Sequence, residues 1–383
     1  MTTVEPVETI KMHFAGVDDP RQSGKVDHPL INIIFLTICA TLCGADGWVD
    51  IEAFGHAQST WLSEYLDLEN GIPSHDTLGR TFSIINPEQF SKGFLDWMNA
   101  VSELVEGIIA LDGKQLRRSH NKRLGKNAIY MVSAWGTANG VVLGQQKVDE
   151  KSNEITAIPK LLAGLDLAGC IITIDAMGCQ TAIAEQIVDQ EGDYVLSLKG
   201  NQGWLHEDVA EMFTYFKKID FVDIESDYHK TVNKGHGRIE IRECYTFNPH
   251  QWNDYFRSLD KWKGLQSVAM VHSQRHVGDK ITNDVRFFIS SSPSNAKETL
   301  NAVRLHWEIE NKLHWVLDVA FREDDSRVRI GHASENMAVI RHMALNLLRQ
   351  EPTGKGGIRN RRMRCAWNIE YRERVLSHIN SIC

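Results

Sequence analysis

Three acidic residues, each tied to an apolar segment, carry the chemistry this sequence could perform. Residues 108–114 read Ile-Ile-Ala-Leu-Asp-Gly-Lys, so four apolar residues run straight into Asp112. A short apolar run ending in a carboxylate and a glycine predicts a buried strand that delivers Asp112 to the rim of a sheet. The pattern recurs at Cys170-Ile171-Ile172-Thr173-Ile174-Asp175, followed by Ala176-Met177-Gly178. Aspartate also ends strands because it starts turns well. Two such strands, however, offer carboxylate oxygens at fixed points, which a hard cation such as Mg²⁺ requires. The third acid lies in residues 303–323 (VRLHWEIENKLHWVLDVAFRE), which predict a helix. Positions four apart share a face, so His306, Glu310 and His314 line up, with Asp318 next along. Glu308 faces elsewhere, beside Lys312 and Trp315. Glu310 is thus the acid in a polar stripe able to point inward. Trp307 and Trp315 are expected to be buried, which argues against an ordinary surface helix.

The segments that must position these acids can be read in order. Residues 1–25 are expected to be flexible. From Asp27 to about Asn99 the chain reads as helical, with Asp27 a cap for the first helix and Pro29 in its first turn. Ser74 caps a helix over His75–Ile85. A helix, a turn and a second capped helix carrying Arg80 could read DNA as a helix-turn-helix, or could simply pack. Strands follow at Ile108–Asp112, Ala128–Trp135 and Val141–Val148. The last two are joined through Thr137-Ala138-Asn139-Gly140, a tight-turn signal that predicts a hairpin. Then come a helix over Ala157–Leu165 with Pro159 in its first turn, a strand Cys170–Asp175, a helix Thr181–Glu191 and a strand Tyr194–Lys199. Three strands, helix, strand, helix, strand is the ribonuclease H-like order. It sets the first and fourth strands side by side and Asp112 next to Asp175. Residues 203–295 interrupt it with a helix (Trp204–Phe216) and strand-like runs at Arg238–Tyr245, Gln266–Ser273 and Val285–Ser290, a β-rich insertion. Helical spacing returns over Ala296–Ala320 and Ala333–Arg349. The expected division is an N-terminal helical domain over 1–100 and an α/β catalytic domain over 101–383 that ends in a basic tail.

Composition narrows the classes. At 383 residues, 42% hydrophobic and 24% charged, the chain is ordinary for a globular protein. The N-terminus lacks an apolar core with a cleavage site. The most apolar stretch, Pro29 to Gly44, is too short to span a membrane. Seven cysteines without CxxC spacing predict free thiols in a reducing cytoplasm and argue against structural zinc. No glycine-rich phosphate loop or dinucleotide fingerprint is present, which disfavours a small-molecule enzyme. A net charge of −8 counts against bulk affinity for nucleic acid. Basic residues nevertheless cluster at 113–126 (Lys114, Arg117, Arg118, Lys122, Arg123, Lys126) and at 355–374, which holds Arg361 and Arg362. Such patches can bind phosphate backbones or be solvated faces.

Many ordered blocks together resemble a known family. They include Leu36-Thr37-Ile38-Cys39-Ala40, Asn70-Gly71-Ile72-Pro73-Ser74-His75-Asp76-Thr77, Ala110-Leu111-Asp112-Gly113-Lys114, Asp149 through Pro159 (DEKSNEITAIP), Thr173-Ile174-Asp175-Ala176-Met177-Gly178-Cys179-Gln180, Lys199-Gly200-Asn201-Gln202, His236-Gly237-Arg238 and His306 through Trp315. Over nearly its whole length the sequence resembles the H-repeat-associated transposases of bacterial insertion sequences, within the DDE transposases. The resemblance implies a catalytic triad of Asp112, Asp175 and Glu310. It also implies a β-rich insertion before the glutamate and a homodimer acting on two element ends in a synaptic complex. Related enzymes carry a Tyr, an Arg and a Lys flanking the glutamate, where this chain has Val303, His306 and Leu317. The expected chemistry is phosphoryl transfer with two Mg²⁺ ions, Mn²⁺ being able to substitute, about 3.5–4 Å apart on the three acids. The expected partners are double-stranded DNA of the terminal inverted repeats and the target, with no membrane. The expected location is cytoplasmic, at the nucleoid when bound to DNA. Lys114, Arg117, Arg118, Lys199, Asn201, His236, Arg238, His306, Arg361 and Arg362 are candidate DNA contacts, since cations and amides position a strand without reading bases. Two alternatives stand beside the transposase: a metal-dependent nuclease that does not join ends, and an inactive or host-adopted DNA-binding relative.

Overall fold

The computed structural model describes residues 6–101, 107–120, 127–149, 153–235 and 237–380. Helices α1 (Pro6–His13), α2 (Leu30–Leu42), α3 (Trp48–Ala57), α4 (Ser59–Leu62), α5 (His75–Ile84) and α6 (Pro87–Val101) come first. Strands β1 (Gly107–Gln115), β2 (Tyr130–Gly136) and β3 (Val141–Lys147) follow, then α7 (Glu154–Leu162), β4 (Cys170–Ile174), α8 (Thr181–Asp189) and β5 (Asp193–Leu198). Next are α9 (Gly203–Lys218), β6 (Ser226–Gly235), β7 (Arg238–Phe247), β8 (Ser267–Val277), β9 (Lys280–Ser290) and α10 (Ala296–His306). After a turn of π-helix at Ile309–His314 come α11 (Trp315–Ala320), α12 (Ala333–Gln350), α13 (Ile358–Trp367) and α14 (Ile369–Ser377).

The chain forms two compact units, and β1 contributes to both. One unit comprises residues 1–105, 113–153 and 310–383. Its spine is α12, whose residues from Ala333 to Leu348 are all buried and which packs on α2, α5, α6 and β3. A helix covered on every side needs its polar residues satisfied internally. Asn346 achieves this by acting as a strand partner: its Oδ1 accepts from Val142 N and its Nδ2 donates to Val142 O, both at 2.8 Å. Asn336 donates to Phe82 O at 2.9 Å, which ties α12 to α5. The hairpin β2–β3 has the expected turn, with Gly140 at φ 65°. Ser74 caps α5 as expected, accepting from Thr77 N at 3.3 Å. Asp27 does not cap α2. Pro29 itself is the N-cap residue, because its extended backbone already ends the preceding loop. The basic C-terminal stretch, expected as a tail, folds into α13 and α14 with Arg362 and Arg372 buried.

The other unit comprises residues 106–112 and 154–309. Its strands run β1-β4-β5-β9-β8-β7-β6. β1, β4 and β5 are parallel, and the β5–β9, β9–β8, β8–β7 and β7–β6 pairs are antiparallel. The β-rich insertion therefore continues the sheet rather than standing apart from it. β6 has no counterpart in the sequence reading, because its exposed residues alternate polar types that give no apolar period. Helix α10 covers one face, with Ala296, Leu300 and Ala302 packed on Val195, Cys244, Val271 and Phe288. Side chains alternate along a strand, so Phe247 and Phe287 point to the opposite face, where Phe213 of α9 meets both rings at 5.0 and 6.0 Å. Helix α7 starts at Glu154, earlier than expected, which moves Pro159 from the first turn into the helix.

Candidate metal centre

The register of two parallel strands places the two aspartates. Leu111 of β1 pairs with Ile174 of β4, so Asp112 and Asp175 are the next residues on neighbouring strands, which lie about 4.8 Å apart. Asp175 ends its strand in a tight turn, its Oδ1 accepting from Met177 N at 3.0 Å and Gly178 N at 3.4 Å. Only glycine fits at 178, since a Cβ there would lie 2.3 Å from Ile174 Cγ2. The turn is fastened from behind. Asn201 Nδ2 donates to Ala176 O at 2.7 Å and Gln202 Nε2 to Cys179 O at 2.5 Å. The Lys199-Gly200-Asn201-Gln202 block thus holds the Asp175 loop.

Glu310 and His314 belong to the π-helical turn, a geometry that occurs often at functional sites. Glu310 is 52% exposed and His314 only 5%, with Glu310 Oε2 3.5 Å from His314 Nδ1. Glu310 and His314 thus set a carboxylate and an imidazole side by side on one turn. Both are donor types that suit a divalent ion at the hard-to-borderline end of the range.

A buried ion network adjoins the π turn. Lys114, largely buried, donates to Glu323 at 2.9 Å, to Asp318, and to the carbonyl of His314 at 3.4 Å. Arg341 reaches the other oxygen of Glu323 at 3.4 Å. One lysine faces two carboxylates, and they respond oppositely. Burial pushes Glu323 up, but the Lys114 and Arg341 charges outweigh it and hold the carboxyl at about 2. Asp318 is raised, because burial and its acidic neighbours exceed the help from Lys114. His342, fully buried beside this network, is pushed down to about 4 by desolvation.

Several sequence expectations change here. Trp307 and Trp315, expected inside, are 47% and 61% exposed. The straight stripe His306–Glu310–His314 is broken, because α10 ends at His306, Trp307 is its C-cap and the π turn starts at Ile309. His306 bonds Thr173 Oγ1 at 3.1 Å, which ties α10 to β4. Leu317 and Val303, where related enzymes have Lys and Tyr, pack inward in this chain, Leu317 completely. Five candidate DNA contacts are engaged internally: His306 with Thr173, and Lys114, Arg361, Arg362 and Asn201 as follows. Lys114 serves the ion network described above. Arg362, 3% exposed, donates to the carbonyls of Thr41, Ala45 and Ala320 and to Asp46. Arg361 donates to Leu348 O at 2.7 Å and Glu351 O at 3.0 Å, satisfying the end of α12. The Asn201 amide is likewise engaged with Ala176. Arg117 and Arg118 stand at the surface, paired with Asp324 at 3.2 Å and Asp325 at 3.3 Å. Lys199 is exposed, and Arg238 pairs with Glu240 at 2.9 Å. His236, Lys122, Arg123 and Lys126 lie outside the described residues. Sequence reasoning did not select His314, Asp318 or Glu323 as site residues. The four-residue spacing from Glu310 was the signal that could have selected His314.

Residues 103–347 match the model described as "Transposase DDE domain", and residues 11–98 match "DDE_Tnp_1-associated". "Putative transposase YncI" of Escherichia coli O157:H7 is 44% identical over 98% of this chain and 96% of its own length. "H repeat-associated putative transposase YhhI" of Escherichia coli K12 is 43% identical over 95% of this chain and 97% of its own. A solved piggyBac transposase synaptic complex with hairpin DNA aligns with 97% of this chain and 81% of that one, at TM-score 0.45 and 9% identity.

Proposed function

The chain belongs to the DDE transposases, alongside H repeat-associated relatives, and from that premise we propose that it cuts DNA at the ends of an insertion-sequence element and joins the freed ends to a target. The observation that carries this reading is the Leu111–Ile174 register, which makes Asp112 and Asp175 the next residues on neighbouring strands. The match to the DDE domain, with β1, β4 and β5 parallel neighbours, supports a ribonuclease H-like core. Asp112, Asp175 and Glu310 would hold Mg²⁺ or Mn²⁺, which when bound lowers the pKa of an attacking water and stabilises charge on the leaving oxygen. The chain's own part is to keep the acids in place. The Asp175 turn is fixed by two peptide N–H groups and by the bonds from Asn201 and Gln202. Lys199, Arg117, Arg118 and Arg238 are the surface cations for backbone phosphates. A homodimer pairing two DNA ends completes the proposal, with the protein acting at the nucleoid. Among the described residues no helix is long and apolar enough to cross a membrane.

The test is cleavage and joining of a duplex carrying the flanking element ends, with Mg²⁺ or Mn²⁺, by wild type and by Asp112→Ala, Asp175→Ala, Glu308→Ala and Glu310→Ala. The reading expects end cleavage and strand-transfer product from wild type and Glu308→Ala only. Cleavage without joined product makes the protein a nuclease. Binding without cleavage in either metal makes it a DNA-binding relative.

A further inference from the structure

We propose that His314 is a nitrogen ligand of the metal centre and that Lys114 is the positioning residue that presents it. The proposal rests on the reading of Asp112 and Glu310 as the metal-holding acids. A ligand set made only of carboxylates would leave His314 as packing. Instead its side chain is buried and its Nδ1 lies 3.5 Å from Glu310 Oε2, so the imidazole stands beside the acid read as a metal holder. Burial removes the competing water that would let an exposed histidine turn away.

The second part concerns how the π turn is held. A single extra residue per turn weakens a helix, so a π segment persists where its surroundings impose it. Lys114 supplies that constraint at the end of the turn, bonding the His314 carbonyl while anchored by Asp318 and Glu323. Only Gly113 separates Lys114 from Asp112, so one strand end supplies both a metal-holding acid and the hook for the segment bearing the other two donors. A lysine in this position does not reach a phosphate; it sets the backbone from which Glu310 and His314 project.

An imidazole in an oxygen set has a chemical consequence. Mg²⁺ prefers oxygen donors, whereas Mn²⁺ and later divalent ions accept nitrogen readily. The centre is therefore built to bind Mn²⁺ in preference to Mg²⁺ by more than its two carboxylates alone would give.

The experiment uses the full-length protein without DNA. Mn²⁺ affinity is measured by calorimetry, and bound Mn²⁺ is studied by pulsed electron paramagnetic resonance, which detects a coordinated imidazole nitrogen directly. Wild type is expected to show nitrogen modulation that His314→Gln abolishes, with Mn²⁺ affinity falling about tenfold and Mg²⁺ affinity falling less. Lys114→Met is expected to weaken Mn²⁺ about tenfold as well, with partial rescue in Lys114→Arg. Mn²⁺ binding that depends on Glu310 but shows no nitrogen modulation in wild type overturns the His314 assignment and leaves the acidic site standing. Mn²⁺ binding insensitive to both Asp112→Asn and Glu310→Gln, or no binding at all, overturns the site itself. Lys114→Met with unchanged Mn²⁺ affinity but a lower slope of DNA affinity against salt makes Lys114 a phosphate contact and removes its positioning role.

Discussion

Glu323→Gln should expose how much of this protein's stability resides in the ion network behind the metal centre. The substitution keeps the shape of the side chain and removes its charge. Lys114 and Arg341 then face an amide where they faced a carboxylate. The folded carboxyl sits at about 2, against an ordinary value of 4.5. At about 1.4 kcal/mol per pH unit this corresponds to about 3 kcal/mol of stability at neutral pH. Breaking a buried pair by removing one partner costs a similar amount, about 3–5 kcal/mol. Glu323 is fully buried, so solvent screening takes little from either figure.

The sign fixes the pH window. A carboxyl whose folded pKa is depressed stabilises the fold above its unfolded pKa, and that contribution is lost as pH falls toward the folded value. The gap between wild type and Glu323→Gln should therefore be complete near pH 7. By about pH 3.5 it should have narrowed by about 1 kcal/mol, and it should close further on acidification. Urea unfolding followed by tryptophan fluorescence and by far-ultraviolet circular dichroism measures it. A gap under about 1 kcal/mol at pH 7, or one that widens on acidification, would refute the assignment of Glu323 as the charged centre of the network.

Two further substitutions separate scaffold from surface. Arg362→Met should destabilise the protein by about 3 kcal/mol or more, because it leaves the Asp46 carboxylate and three carbonyls without their donor. The salt dependence of DNA affinity should stay unchanged in that variant, whereas a phosphate contact would lower the slope by about one. Gly178→Ala should cost about 1–3 kcal/mol, since its Cβ would meet Ile174 and Ile158 at 2.3 and 2.8 Å. It should also reduce end cleavage at least about tenfold while end binding is kept, because the Gly178 N–H is one of the two that hold Asp175; equal cleavage would mean the turn does not set that carboxylate.

What the sequence disclosed depended on the range of the interactions involved. The strands β1 and β4 were legible because a buried parallel strand needs a continuous apolar run, and each run stopped at the aspartate it delivers. The hairpin was legible because Asn139-Gly140 satisfies a local backbone requirement. The exposed strand β6 left no such trace, since seven of its ten residues face solvent and the other three, His229, Thr231 and Asn233, are polar. The roles of the cations were the least legible. Lys114, Arg361 and Arg362 have the composition of a phosphate-binding surface, and nothing local distinguishes a guanidinium in water from one that closes the end of α12 or bridges to Asp46 across more than 300 residues.

The π turn departs from the straight helix on which Glu310 was singled out. A straight helix over residues 303–320 would put His306, Glu310 and His314 on one stripe and hide the two tryptophans. The chain instead ends α10 at His306, exposes Trp307 and Trp315, and restarts in π geometry. Two contacts fix the two sides of this break. Thr173 holds His306 next to the strand that ends at Asp175, and Lys114 holds the carbonyl of His314. Glu310 is exposed on the turn whose far end Lys114 fastens. That gives an open side chain on a constrained backbone, and a regular amphipathic helix would have supplied only one of the two.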